Sequence, residues 1–124
     1  MKVLQVLTRI FLSREQLEAS VSFYESLFST QSSLRESFEG GIEAVQVGPL
    51  LLIAGPEQAL GALKATQANF LVDSLSEWQA YLRKNGATIL DGPKQAPTGM
   101  EMRVRHPDGT WIKYVQYEDS VYSC

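Results

Sequence analysis

The first apolar run, Val3–Leu12, is rich in β-branched residues and alternates, which predicts a strand. Leu4, Val6, Thr8, Ile10 and Leu12 share one face; Gln5, Leu7, Arg9 and Phe11 share the other. The first set is the more apolar, so it is expected to pack under a helix. The period then changes. Leu17, Val21, Tyr24 and Phe28 recur at helical spacing, with Ser20, Phe23 and Leu27 beside them. Ser13 followed by Gln16 forms a capping box, and the polar residues 29–33 end the helix. Phe23, Tyr24 and Phe28 lie on this stripe and are expected in the core. Three short strands follow, Leu34–Phe38, Ile42–Val47 and Leu50–Ala54, with turns at Gly40-Gly41 and Gly48-Pro49. Residues 55–64 read as a connection with one helical turn.

The pattern then restarts. Thr66–Val72 alternates, with Ala68, Phe70 and Val72 on one face and Gln67, Asn69 and Leu71 on the other. Ser74 and Glu77 form a second capping box, Leu75, Trp78 and Leu82 a second helical stripe, and Asn85-Gly86 a stop signal. Trp78 is expected in the core. Strands are predicted at residues 87–90 and 100–106 and at Trp111–Tyr117, the last two joined by a Pro107-Asp108-Gly109 turn. Residues 91–99, rich in Pro and Gly, are predicted to be a loop. The chain thus repeats strand-helix-strand-strand-strand, an α+β arrangement of two tandem βαβββ modules. Module one spans residues 3–54, a linker 55–64, module two 65–117 and a tail 118–124. Each module is expected to curve its sheet around one outer helix, leaving the inner face to line a cup.

Composition narrows the function classes. The 124 residues suffice for one domain with a sizeable core. Eleven basic and fourteen acidic residues give a net charge of -3, which argues against a general nucleic-acid binder. No apolar run is long enough to span a bilayer, and the N-terminus lacks a signal-peptide pattern, so a cytoplasmic location with no membrane partner is expected. The single cysteine, Cys124, allows no internal disulfide and no cysteine-based zinc site. Its terminal position argues against catalysis. No phosphate-cradling glycine loop and no nucleophile elbow is present.

Three local motifs, in order, carry a resemblance. They are residues 17–24, ending in Phe23-Tyr24; Phe70-Leu71-Val72-Asp73-Ser74-Leu75 with Gly86 after its helix; and His106-Pro107-Asp108-Gly109-Thr110-Trp111-Ile112. Over residues 3–117 the chain resembles the vicinal oxygen chelate superfamily of glyoxalase I, extradiol dioxygenases and bleomycin resistance proteins. The resemblance implies a curved-sheet cup, commonly in a homodimer. Enzymes of the superfamily hold a divalent ion in that cup through His and Glu. Counting along the motifs puts the corresponding positions at Arg9, Gln67 and Lys113. Arg and Lys are cations without a lone pair for a metal, and Gln67 offers one neutral oxygen. No metal and no cofactor is therefore expected. An oxygen-donor site using Glu43 or Glu101 is the alternative.

The same alternation places Arg9 with Leu7 and Phe11, and Lys113 with Trp111, Val115 and Tyr117. A hairpin symmetric about Asp108 sets Arg103 opposite Lys113 and Arg105 near Trp111. Like charges opposed on a sheet are unfavourable unless an anion lies between them. The candidate ligand-binding residues are Arg9, Phe11, Gln67, Asn69, Arg103, Trp111 and Lys113, with no catalytic residue assigned. The competing reading is that these cations reach solvent or pair with Glu101 or Glu43. His106 reads as a turn residue. Three function classes stay open. The first is a metal-free small-molecule binding protein with an anionic or aromatic ligand; a basic cup argues against cationic bleomycin. The second is a metal-dependent lyase or dioxygenase with a non-standard site. The third is a structural or regulatory dimer.

Overall fold

The computed structural model describes residues 1–97 and 99–118. Cys124 lies outside the described residues. The described residues form two compact units, one of residues 7–65 and one of residues 1–6 with those from Thr66 onward. The boundary falls inside the first strand, β1 (Val3–Leu12).

In the first unit, Ser13 donates its backbone N–H to Gln16 Oε1 at 3.0 Å, and the helix opens with a 3₁₀ turn, Arg14–Gln16. It continues as α1 (Leu17–Phe28). Strands β2 (Leu34–Phe38), β3 (Ile42–Val47) and β4 (Leu50–Ala54) form an antiparallel meander, as the turn residues predict. Thr8–Leu12 of β1 pairs parallel with β4, giving the order β2-β3-β4-β1. The short α2 (Glu57–Leu60) supplies the expected turn of helix. Leu17 and Val21 bury against Val45, Val47, Leu52 and Ala54, with Ile10, Leu12 and Tyr24 at the margin.

Two expectations need correction here. The greasier face of β1 does not lie wholly under a helix: Ile10 and Leu12 join the α1 core, but Leu4 and Val6 are 49% and 46% exposed. Leu7, from the opposite face, is fully buried. On α1, Phe23 and Leu27 are exposed at 62% and 61% rather than in the core. At ~100° per residue they sit roughly a quarter-turn or more from the Leu17–Val21 line, beyond the strip that the sheet covers. Phe28 is also exposed, its ring stacked on Tyr24.

The second unit repeats the topology with β5 (Thr66–Val72), α3 (Leu75–Lys84), β6 (Thr88–Ala96), β7 (Gly99–Arg105) and β8 (Trp111–Tyr117). β5 pairs parallel with β8, and β8, β7 and β6 are antiparallel, giving β5-β8-β7-β6. Leu75 and Leu82 of α3 bury against Val72, Met102, Val104, Ile112 and Tyr114. Trp78 packs on this core and donates its indole N–H to Lys2 O at 3.3 Å. Ser74 Oγ accepts from the Glu77 N–H, so the predicted cap forms.

The predicted loop at residues 91–99 is instead mostly strand. Two register shifts, between Ile89 and Asp91 and between Asp91 and Lys94, absorb the Gly92-Pro93 pair. β6 is a sheet edge, where a residue without an N–H is tolerated. Gly92 has φ +86°, and a Cβ there would meet Glu101 O at 2.6 Å. Glycine is therefore required by the close approach of β7. Among the described residues, no helix is long and apolar enough to cross a membrane.

Candidate ligand-binding face

Strand β8 has a partner on each side, β5 and β7. Its Ile112 and Tyr114 enter the core under α3. Alternation therefore turns Trp111, Lys113, Val115 and Tyr117 to the other face. On that face the register aligns Asn69 with Lys113, Lys113 with Arg103, and Arg103 with Asp91. Four strands thus contribute one row of polar residues. Arg105 pairs with Trp111 and Glu101 with Val115 and Lys94, so Glu101 is the diagonal neighbour of Lys113.

The charges in this row are unevenly matched. Lys113 Nζ lies 3.4 Å from Glu101 Oε2, and both side chains are only about one-fifth exposed. Arg103 Nε lies 3.7 Å from Asp91 Oδ2, while Lys94 Nζ lies 2.7 Å from the same oxygen. The hydrogen bond from Lys94, helped by the charge of Arg103, holds the Asp91 carboxyl below the usual carboxylate range. The Arg103 guanidinium also lies over the Trp111 ring, 5.9 Å from its centroid. An indole face stabilises a cation there. Two cations stand side by side on neighbouring strands, and carboxylates attend them.

Asn69, opposite Lys113 across the β5–β8 pair, is buried at 8% exposure. Gln67 falls where the β5–β8 register shifts between Thr66 and Ala68, and it is exposed. Arg9 and Phe11 belong to the first unit. Arg9 Nη1 donates to Leu63 O at 3.1 Å, tying β1 to the segment after α2. Phe11, Leu12 and Leu60 help line an open depression of about 240 Å³, with Glu57 and Lys64 among its polar groups.

The carboxylates weighed as oxygen donors both have cationic partners. Glu43 Oε2 accepts from Arg35 Nη1 at 2.7 Å, and its Oε1 lies 3.5 Å from Arg14 Nη2. Arg35 also grips both oxygens of Glu18, at 2.8 and 3.0 Å, and lowers the Glu18 pKa. Glu101 faces Lys113. Among the described residues, no three His, Cys, Asp or Glu side chains gather as a metal site. Of the three positions that the resemblance implies, Arg9 and Lys113 are cations without a lone pair for a metal, and Gln67 offers one neutral oxygen.

Sequence reasoning missed two things. Asp91 and Lys94 join the charged cluster because β6 continues through the supposed loop, where Gly92 and Pro93 read as turn residues. His106 does hold the turn, donating its backbone N–H to Thr110 O at 2.8 Å. It also meets Tyr114: Nε2 lies 2.8 Å from the phenolic oxygen. Burial pushes the Tyr114 pKa up to about 12.

No family model matches the chain, and no curated protein matches it. Solved structures do. An uncharacterized protein from Methanosarcina mazei is 44% identical, with 95% of each chain covered and a TM-score of 0.88. Methylmalonyl-CoA epimerase from Mycobacterium tuberculosis is 15% identical, covering 98% of this chain and 93% of that one, with a TM-score of 0.69. The Streptomyces coelicolor methylmalonyl-CoA epimerase, a serine-to-threonine variant in complex with 2-nitronate-propionyl-CoA, is 19% identical over 95% and 97%, with a TM-score of 0.66. Methylmalonyl-CoA epimerase belongs to the vicinal oxygen chelate superfamily. The fold is therefore the α+β, glyoxalase/bleomycin-resistance-like one.

Proposed function

The chain belongs to one family with the uncharacterized Methanosarcina mazei protein, and on that premise we propose that it binds a small organic anion without a divalent metal. The observation that carries this reading is the cross-strand pair Arg103–Lys113, backed by Trp111 and flanked by Asn69. Arg103 and Lys113 are like charges opposed across β7–β8, and an anion between them relieves that repulsion; a ligand carboxylate or phosphate fits there, and the indole suits a planar group beside it. The ligand in the Streptomyces coelicolor epimerase structure, 2-nitronate-propionyl-CoA, is itself an organic anion, which supports the class. In this reading the protein is cytoplasmic and works as a homodimer that covers its sheet edges.

The test is calorimetric titration with benzoate, phthalate and methylmalonyl-CoA at low and high salt. Binding of at least one, weakened by salt, is expected. Arg103→Leu with Lys113→Met should weaken it by about tenfold or more, the scale of a lost charge-assisted hydrogen bond. Binding that ignores both salt and these substitutions overturns the reading, as does binding of none.

A further inference from the structure

We propose that Arg103 is the residue that selects the ligand, gripping two oxygens of one anionic group with the outer edge of its guanidinium, and that Trp111 holds this fork and gives its indole N–H to the same ligand. The inference rests on the anion-binding reading above and assigns recognition to a directed set of donors instead of to positive charge alone. Arg103 on β7 and Trp111 on β8 are diagonal neighbours across the pair. The guanidinium carbon lies over the indole, 5.9 Å from the ring centroid. The Asp91 carboxylate approaches the guanidinium at Nε, with Oδ2 at 3.7 Å. Asp91 is itself fixed by Lys94, whose Nζ donates to the same oxygen at 2.7 Å. A ring on its face and a carboxylate on its Nε side thus orient the Arg103 side chain before a ligand arrives, which lowers the entropic cost of binding.

The remaining donors are uncommitted. Among the described residues, neither the terminal nitrogens of Arg103 nor Nε1 of Trp111 makes a hydrogen bond. No buried side-chain nitrogen or oxygen among those residues lacks a partner, so these donors open to solvent. Arg105, two residues along β7, differs: its Nη2 meets Thr88 Oγ1 at 3.4 Å. The planar fork of an arginine fits two oxygens carried by one atom, as in a carboxylate or a phosphate. A lysine ammonium is a point charge without that plane, so it supplies attraction without direction.

The probes are benzoate and phenyl phosphate, titrated calorimetrically into the full chain. Arg103→Lys keeps the charge and removes the fork. Both affinities should then fall about tenfold, the scale of one lost charge-assisted hydrogen bond, while the salt dependence persists. Arg105→Lys, the same exchange on the same strand, should leave both within about twofold. Trp111→Phe keeps a ring beside Arg103 but no N–H, and affinity should fall about threefold. The change in tryptophan emission on binding should vanish with it, because the other tryptophan, Trp78, packs on the α3 core. Binding of only one probe, with these losses, supports the fork and assigns the anionic group as carboxylate or phosphate. An Arg103→Lys protein that binds like wild type, or no more weakly than Arg105→Lys, overturns the fork while the anion-binding reading survives. An emission change that persists in Trp111→Phe overturns the part given to Trp111. If Arg103→Lys unfolds, the Trp111→Phe titration decides by itself. Failure of wild type to bind either probe removes both readings.

Discussion

The two βαβββ modules share one strand order and use their charges in opposite ways. In the first, Arg14 and Arg35 face Glu18 and Glu43, two against two, at distances down to 2.7 Å. Arg35 is held so firmly that its pKa rises further above its already high value, chiefly through Glu18 and then Glu43. In the second, two cations are cross-strand neighbours, and their carboxylates stand 3.4 and 3.7 Å away. The matched network ties α1 to the meander, whereas the second module sets like charges beside each other on neighbouring strands.

The edge strands differ too, and there the comparison meets its severest test. β2 is five residues without a bulge, whereas β6 is nine and turns twice through irregular register. That path brings Asp91 and Lys94 into the charged row, and it depends on Gly92. Alanine there has to push Glu101 O and Met102 Cα away from 2.6 and 3.0 Å in a left-handed conformation. Gly92→Ala is expected to cost about 3 kcal/mol, from strain and overpacking together. Chemical denaturation measures it. A cost below about 1 kcal/mol would mean that β6 can re-route, and that its register is not what fixes the row.

The helices also rest on unlike supports. Only the second module sets a buried phenol beneath its helix, with Trp78 and Phe70 packed on Tyr114 and His106 bonded to its hydroxyl. Tyr114→Phe removes that bond and is expected to cost about 1 kcal/mol. The pH dependence has a definite sign. Tyr114 keeps its proton to about 12 in the folded chain, against ~10 when unfolded. The stability it contributes is complete below pH ~10 and falls as pH rises through about 12, because only the unfolded chain releases the proton in that window. An absorbance titration at tyrosinate wavelengths should show a late component that disappears in Tyr114→Phe. A variant with an unchanged titration would assign the late group elsewhere.

What the sequence made legible follows the same divide. Among the described residues, seven of eight strands could be placed within a residue or two because alternation and glycine turns agree there. β6 could not, since a bulge places its glycine and proline inside a ladder, and local propensity describes only their preference for turns. The opposition of Arg103 and Lys113 was legible because the Asp108-Gly109 turn fixes the hairpin register. The second carboxylate of the row, Asp91, was not, because it lies beyond that hairpin on a bulged strand. Exposure was harder still. Phe23 carries the same hydrophobic signal as Tyr24, and only the width of the covering sheet separates them.

The helix ends give the smallest and cleanest contrast. α3 stops at Asn85 followed by Gly86 at φ +89°. α1 stops at Ser29, which adopts the left-handed conformation itself, with φ 51° and ψ 46°. For a residue with a Cβ that conformation costs ~1 kcal/mol or more. Glycine relieves the strain but gives back part of it as extra freedom in the unfolded chain. Ser29→Gly is therefore expected to stabilise by about 0.5 kcal/mol, a rise of ~2 °C in Tm. Gly86→Ser makes the reverse exchange at α3 and should destabilise by a similar or larger amount. If Ser29→Gly destabilises instead, the end of α1 is held by the bonds around it: Glu25 O accepts from the Thr30 N–H at 3.0 Å, and the Glu25 carboxylate from the Ser32 N–H at 2.8 Å. The two modules would then differ in how their helices end, by a side-chain clasp in one and by a glycine in the other.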